Sequence, residues 1–399
     1  MLFDQTKKNV ALLALCQALN NTGNSIIVTV SALAGYALAI EKSLATLPLA
    51  LQFTATTLSS VPASLLMARI GRRNGFIVGA LIGLVGGVVC TIGLFLQSFF
   101  LFSTGSFIIG ILNGFALYYR FAAADTASES FRGKAISLVL AGGLISAFVG
   151  PELARNTREF FGSYIYAGTY LTIALLPVLS ILLLLFIKIP PLTLEKSYKA
   201  ARPLTQIISQ PMFIIAVLGS IVGYGVMVLL MTATPLAMKS CSLDFNNTAF
   251  VIQWHIVGMF LPSFFTGRLI QRFGVLRIMM TGAFLNLAAI TTNLSGNGLD
   301  HFWVGLFLLG LGWNFLFIGS TTLLTYTYSE AERAKTQAAN EFVVFSAVAV
   351  ASLSSGALQY LFGWETVNMS VIPLIVTIIL GILWLRIKIG GVHPAEVAE

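Results

Sequence analysis

The chain has 399 residues, of which 57% are hydrophobic and 10% charged, with a formal net charge of +8 and a mean hydropathy of +0.89. Soluble domains carry about 25% charged residues, so these proportions exclude a water-soluble globule and any separate soluble catalytic domain. The excess of Lys and Arg is not interleaved with aromatics in a polar segment, which also excludes a nucleic-acid-binding face.

At about 20 apolar residues per membrane-spanning helix, the chain accommodates roughly twelve spans with short connections. Apolar run length predicts them at 9–39, 44–68, 75–96, 98–124, 134–154, 164–188, 211–238, 247–270, 275–294, 301–326, 336–361 and 366–388. The first run is too long and too polar for a signal peptide and is expected to remain in the mature protein. Cys16 and Cys90 fall within apolar runs and Cys241 stands apart from them, so no disulfide framework is expected.

The first span carries Gln17, Asn20, Asn21 and Asn24. Residues three and four apart share a helix face, so these amides form one stripe that lipid cannot solvate. Hydrogen bonds between helices explain part of such a stripe, but four amides in eight residues exceed that need. A water-filled cavity is expected beside it, with Leu13 facing lipid.

The second and third spans are joined by a basic turn containing Arg69, Gly71, Arg72 and Arg73. The pattern recurs about 200 residues later in Gly267–Arg277, where Arg272 and Gly274 take the places of Arg69 and Gly71. Every second connection is basic: 18 Lys and Arg fall on one side and four on the other, and Arg120 inside a span completes the 23. The positive-inside rule then places both termini in the cytoplasm.

Span 4 holds Asn113, Tyr119 and Arg120 and runs on to Asp125. Two readings of Arg120 stand side by side. A cation in a span must snorkel or pair, here with Asp125 or Glu129, or its planar donor fork serves a substrate or a gate. Residues 189–203, from Ile189 to Pro203, form the longest polar break, at the midpoint of the chain. Ser128, Glu129, Arg132 and Lys134 recur as Ser329, Glu330, Arg333 and Lys335, each displaced by 201 positions, and Asn113 maps to Asn314 by the same shift. A chain that repeats its connections at one displacement has two related halves.

In the second half, Tyr224, Gln253, Trp313 and Asn314 are candidate cavity residues, an aromatic and amide set suited to stacking on a ring and hydrogen-bonding it. His255 titrates near neutrality when unperturbed, although one buried histidine also serves as a structural hydrogen-bonding group. Glu341, about two turns inside span 11, is the deepest carboxylate. Either it carries a proton or it pairs with Arg333 or Lys335 to close a gate.

The Arg-x-Gly-Arg-Arg turn after span 2 and its echo after span 8 resemble the corresponding loops of the major facilitator superfamily. Ala68 and Gln271 stand where the family usually has aspartate, and Ser64 where it has glycine. The phrases from Tyr118 to Ser130 and from Gly312 to Gly319 resemble a bacterial branch that includes proposed riboflavin uptake carriers. The resemblance implies an all-α membrane protein of twelve transmembrane helices in two pseudo-symmetric six-helix bundles, residues 1–188 and 211–399, joined by a cytoplasmic linker at 189–210. It implies a secondary active transporter rather than an enzyme, a monomer in the bacterial inner membrane that moves a small organic solute by alternating access. Symport with protons is expected, with His255, Glu341 and Asp125 as coupling or gate residues and no cofactor, metal or nucleic-acid partner. A drug or siderophore exporter of the same fold and a non-transporting membrane sensor are the alternatives.

Overall fold

The computed structural model describes residues 2–126, 135, 138–139, 142–189 and 202–390. The side chain of Asp125, the segment with Ser128, Glu129, Arg132 and Lys134, most of the linker at 189–210 and both chain ends lie outside the described set. Among the described residues all regular structure is helical.

Two compact units contain these helices: Met1–Thr193 with Asp244–Gln253, and Leu194–Leu243 with Trp254–Glu399. The first holds α1 (Leu2–Leu38), α2 (Leu47–Ile70), α3 (Arg72–Phe95), α4 (Phe99–Ala116), α5 (Tyr119–Thr126), α6 (Gly142–Thr157) and α7 (Ala167–Leu184). The second holds α8 (Leu204–Ile208), α9 (Pro211–Ser240), the end of α10 (Phe245–Phe260) from Trp254 onward, α11 (Ser263–Phe273), α12 (Val275–Leu294), α13 (Leu299–Thr325) and α14 (Arg333–Lys388), while α10 up to Gln253 belongs to the first unit.

In the first unit α3 packs on α4 and α7, α2 on α4, and α1 on α6 and α7. Lipid tails are as apolar as leucine, so close contact between helices depends on small residues that let backbones approach. Gly86 shows this: a Cβ there would lie 2.7 Å from the Ile109 amide nitrogen and 3.0 Å from the Gly105 carbonyl. The α12–α13 seam of the second unit repeats the device: a Cβ at Gly282 would lie 2.6 Å from the Leu316 amide nitrogen. Neither neighbour is a flexible side chain that can swing away. Gly86→Leu is therefore expected to lower the melting temperature of the detergent-solubilised protein by several degrees, since overpacking costs about 1–3 kcal/mol. Gly225→Ala, where no atom lies within 4 Å, should change it little.

The basic turns are alike in conformation as well as in sequence. Gly71 (φ 85°, ψ 153°) and Gly274 (φ 86°, ψ 148°) each end one helix and begin the next, in a backbone region that side chains with a Cβ rarely enter. In the first turn Arg73 donates to the carbonyls of Leu184 (3.2 Å) and Leu185 (2.9 Å). It thereby caps the end of α7, where free carbonyls and the helix dipole favour a cation.

Eight helical stretches among the described residues are long and apolar enough to cross a bilayer, and the α10–α11 pair, bent by 41°, makes a ninth. The amides of α1 keep that 37-residue helix out of the apolar set. The 56 residues of α14 would measure about 84 Å as one rod, far beyond the ~30 Å of a hydrocarbon core. At Gly363 (φ 80°, ψ 176°) the helix breaks, and Gly162 (φ 58°), 201 positions earlier, has the same sign of φ between α6 and α7.

Span 8 was expected to be continuous over 247–270. Instead the chain bends between Phe260 and Ser263, where Pro262 lacks an N–H and disturbs the helix ladder.

Candidate functional site

The stripe predicted on α1 is half-buried at Gln17, Asn20, Asn21 and Asn24. Gln17 donates to Asn21 Oδ1 at 2.8 Å. Asn24 and Asn113 exchange two hydrogen bonds, Asn113 Nδ2 to Asn24 Oδ1 at 3.0 Å and Asn24 Nδ2 to Asn113 Oδ1 at 3.2 Å. Gln52 of α2 donates to the same Asn24 oxygen at 3.1 Å, so amides from three helices converge on one atom. A cavity inside the first unit opens beside them, bordered by Asn20, Asn24 and Asn113 together with Ser180, Ile27 and Leu112.

Gln52 was missed at the sequence level because one amide in an apolar run gives no pattern. Its only cue is being a polar side chain within a spanning helix. Leu13, expected on the lipid side, is fully buried among Val10, Cys16, Phe76 and Tyr119. The stripe occupies half-buried positions, and the surface facing away from the unit is marked by Leu15, 49% exposed. A one-sided amide pattern therefore located the polar face and misassigned the opposite one, because α1 is covered on more than one side.

Tyr119 borders the cavity, yet it is buried and its ring packs on Phe76 at 4.6 Å. Arg120 lies on the short α5, beyond a break that follows α4, with its guanidinium 4.9 Å from the Phe121 ring centroid.

The second unit places Tyr224 edge-on to Trp313 (5.6 Å) and Phe317 (5.2 Å), with Phe345 at 5.6 Å. Trp313 and Phe317 stack at 5.2 Å. The buried Trp313 Nε1 has no hydrogen-bond partner, an open donor beside an aromatic wall. Asn314, grouped with Trp313 in the sequence, has a different setting. Its Nδ2 donates to Met259 O and Ser263 Oγ, both at 2.6 Å, and its Oδ1 accepts from Thr266 Oγ1 at 2.7 Å. Those groups flank the α10–α11 bend, so Asn314 fastens the break, while its symmetry mate Asn113 borders a cavity.

Gln253 is half-buried on α10. His255 is fully buried, with Nδ1 2.7 Å from the Leu306 carbonyl, which ties α10 to α13. Glu341 is half-buried on α14, two turns beyond Arg333.

At the start of the second unit, the Arg202 guanidinium grips Glu332, Nε to Oε1 at 2.8 Å and Nη2 to Oε2 at 2.7 Å, and also donates to the Thr327 carbonyl at 3.1 Å. The Ser329 N–H adds a bond to Oε2 at 3.0 Å. Arg202 first, and then that N–H, hold the Glu332 carboxyl well below the usual carboxylate range. A carboxylate with a depressed pKa stabilises the folded state at all pH above its unfolded value of about 4.3 and loses this only as pH falls further, through the folded value. The clamp should therefore make no change in melting temperature between pH 8 and pH 5, whereas Glu332→Gln should lower it by a few degrees throughout that window. A variant effect appearing only above neutral pH would contradict this assignment.

Convergent amides inside an apolar helix bundle, on a scaffold with repeated basic turns, are the construction of a multi-pass membrane transporter. The profile of the Major Facilitator Superfamily matches residues 13–252 and 221–396. The riboflavin transporter RfnT of Brucella anthropi is 38% identical over 387 residues, covering 96% of this chain and 97% of that protein. The uncharacterized MFS-type transporter YdeG of Bacillus subtilis is 28% identical over 371 residues, covering 88% and 85%. The chain belongs to the major facilitator superfamily and, like these relatives, is a transporter rather than an enzyme.

Proposed function

We propose that the protein is a secondary carrier for riboflavin or a closely related flavin, working by alternating access and coupled to protons. The observation that carries this reading is the cluster of Asn24, Gln52 and Asn113 beside a cavity, taken with similarity along nearly the whole chain to a riboflavin transporter. The amides supply hydrogen bonds to the polar edge of a ring system. No nucleotide-binding loop occurs in the sequence, so an ion gradient supplies the energy. Substrate-dependent uptake of radiolabelled riboflavin into proteoliposomes tests it, and equal uptake into empty liposomes would remove the flavin reading.

Twelve spans in two six-helix bundles, 1–188 and 211–399, account for the helices if α14 counts twice at Gly363 and α1, α6 and the α10–α11 pair each cross once. The linker at 189–210 and both termini are cytoplasmic in this reading, which rests on the distribution of basic residues. The membrane is the bacterial inner membrane, and the carrier acts as a monomer. In a cysteine-free background, Asn297→Cys should be labelled by an impermeant maleimide on intact cells and Arg333→Cys should not. Both positions are exposed, so the reverse pattern would invert the orientation.

A further inference from the structure

The amide cluster of the first unit is incomplete as a hydrogen-bonding system. Asn24 Oδ1 accepts from Gln52 Nε2 and Asn113 Nδ2, and Asn24 Nδ2 returns a bond to Asn113 Oδ1. Each primary amide has two N–H groups, so these three bonds leave one N–H on each residue. They also leave Gln52 Oε1, which is buried without a partner on a side chain only 3% exposed. Leaving a buried carbonyl unmet costs about 1–3 kcal/mol.

The backbone of Gln52 is held firmly in place. Gly110 of α4 packs so closely that a Cβ there would lie 2.2 Å from the Gln52 carbonyl, and Thr56 Oγ1 bonds the Gly110 carbonyl at 3.0 Å. The open acceptor thus lies one residue behind the cavity lining, on a side chain hydrogen-bonded to Asn24, which borders the cavity with Asn113, and spare N–H donors of the cluster surround it.

Given the flavin reading above, on which this rests, we infer that Gln52 is a specificity-determining residue that reads the imide edge of the flavin ring. That edge presents an N–H between two carbonyls. The N–H donates to Gln52 Oε1, and the carbonyls accept from the spare N–H groups of the cluster. A ligand without a donor flanked by acceptors leaves the glutamine oxygen unmet, so the site discriminates by the penalty on an orphaned group.

The test is equilibrium binding of riboflavin and of 3-methylriboflavin, whose imide nitrogen carries a methyl group, to the purified full-length protein, followed by flavin fluorescence. Wild type is expected to prefer riboflavin roughly tenfold or more. Gln52→Met, similar in volume without the acceptor, should bind riboflavin more weakly and lower the preference to about threefold or less. Should Gln52→Met fail to give a monodisperse protein, Gln52→Asn keeps an amide but draws the acceptor back by one methylene and should likewise lower the preference. Equal preference in wild type and in Gln52→Met or Gln52→Asn, or indifference of wild type to the methyl group, would overturn the assignment while leaving a flavin carrier intact. Binding of neither flavin by wild type would instead overturn the substrate reading and this inference with it.

Discussion

Asn24→Leu is expected to raise the Kd for substrate at least about tenfold while leaving membrane expression largely unchanged. The leucine removes the oxygen that accepts from both Gln52 and Asn113, so two further amides lose their partner beside the cavity. Each truncated bond in a polar network costs about 0.5–1.5 kcal/mol or more, and a factor of ten corresponds to about 1.4 kcal/mol. Asn113→Leu should behave similarly, and the double variant should be less than additive because the two residues share their bonds. The proper surface control is Leu15→Ala, at an outward-facing position. Leu13→Ala would instead open the core and cost about 2–5 kcal/mol. Wild-type transport by both asparagine variants would reduce the cluster to a fastening between α1 and α4.

Glu341→Gln is expected to separate exchange from accumulation. The amide mimics the protonated acid, so a carrier that uses Glu341 to hold the coupling proton should still exchange labelled for unlabelled substrate at equal pH. Gradient-driven accumulation should fall to the exchange level. If Glu341 instead belongs to a gate, both rates should change, and charge reversal at Arg333 or Lys335 should reproduce the defect. Lys335 donates to the Arg202 carbonyl, so its reversal would also disturb the Arg202–Glu332 clamp. Arg333, exposed at the start of α14, is the cleaner partner variant. Exchange and uptake measured on the same proteoliposomes separate the outcomes, and unchanged values in both would take Glu341 out of the mechanism.

Much of the architecture was legible in the chain itself, because membrane helices obey a local rule. Lipid offers no hydrogen bonds, so every spanning segment must be long, apolar and helical, and those properties are written into consecutive residues. The repeat was legible for the same reason, since Gly71 and Gly274 each mark a sharp turn that one residue type tolerates best. The amide stripe of α1 was equally visible, as a local pattern with helical spacing.

Tertiary structure decided which polar residues share a partner. Asn113 and Asn314 occupy equivalent places in the sequence repeat, yet one joins Asn24 beside a cavity and the other secures the bend at Pro262. That difference depends on groups 89 positions away in one case and about 50 in the other. Gln52 carried no pattern to announce it, and Leu13 looked lipid-facing until α1 was seen to be covered on more than one side. Periodicity reports a face of a helix, whereas the identity of what that face meets is set by helices distant in sequence.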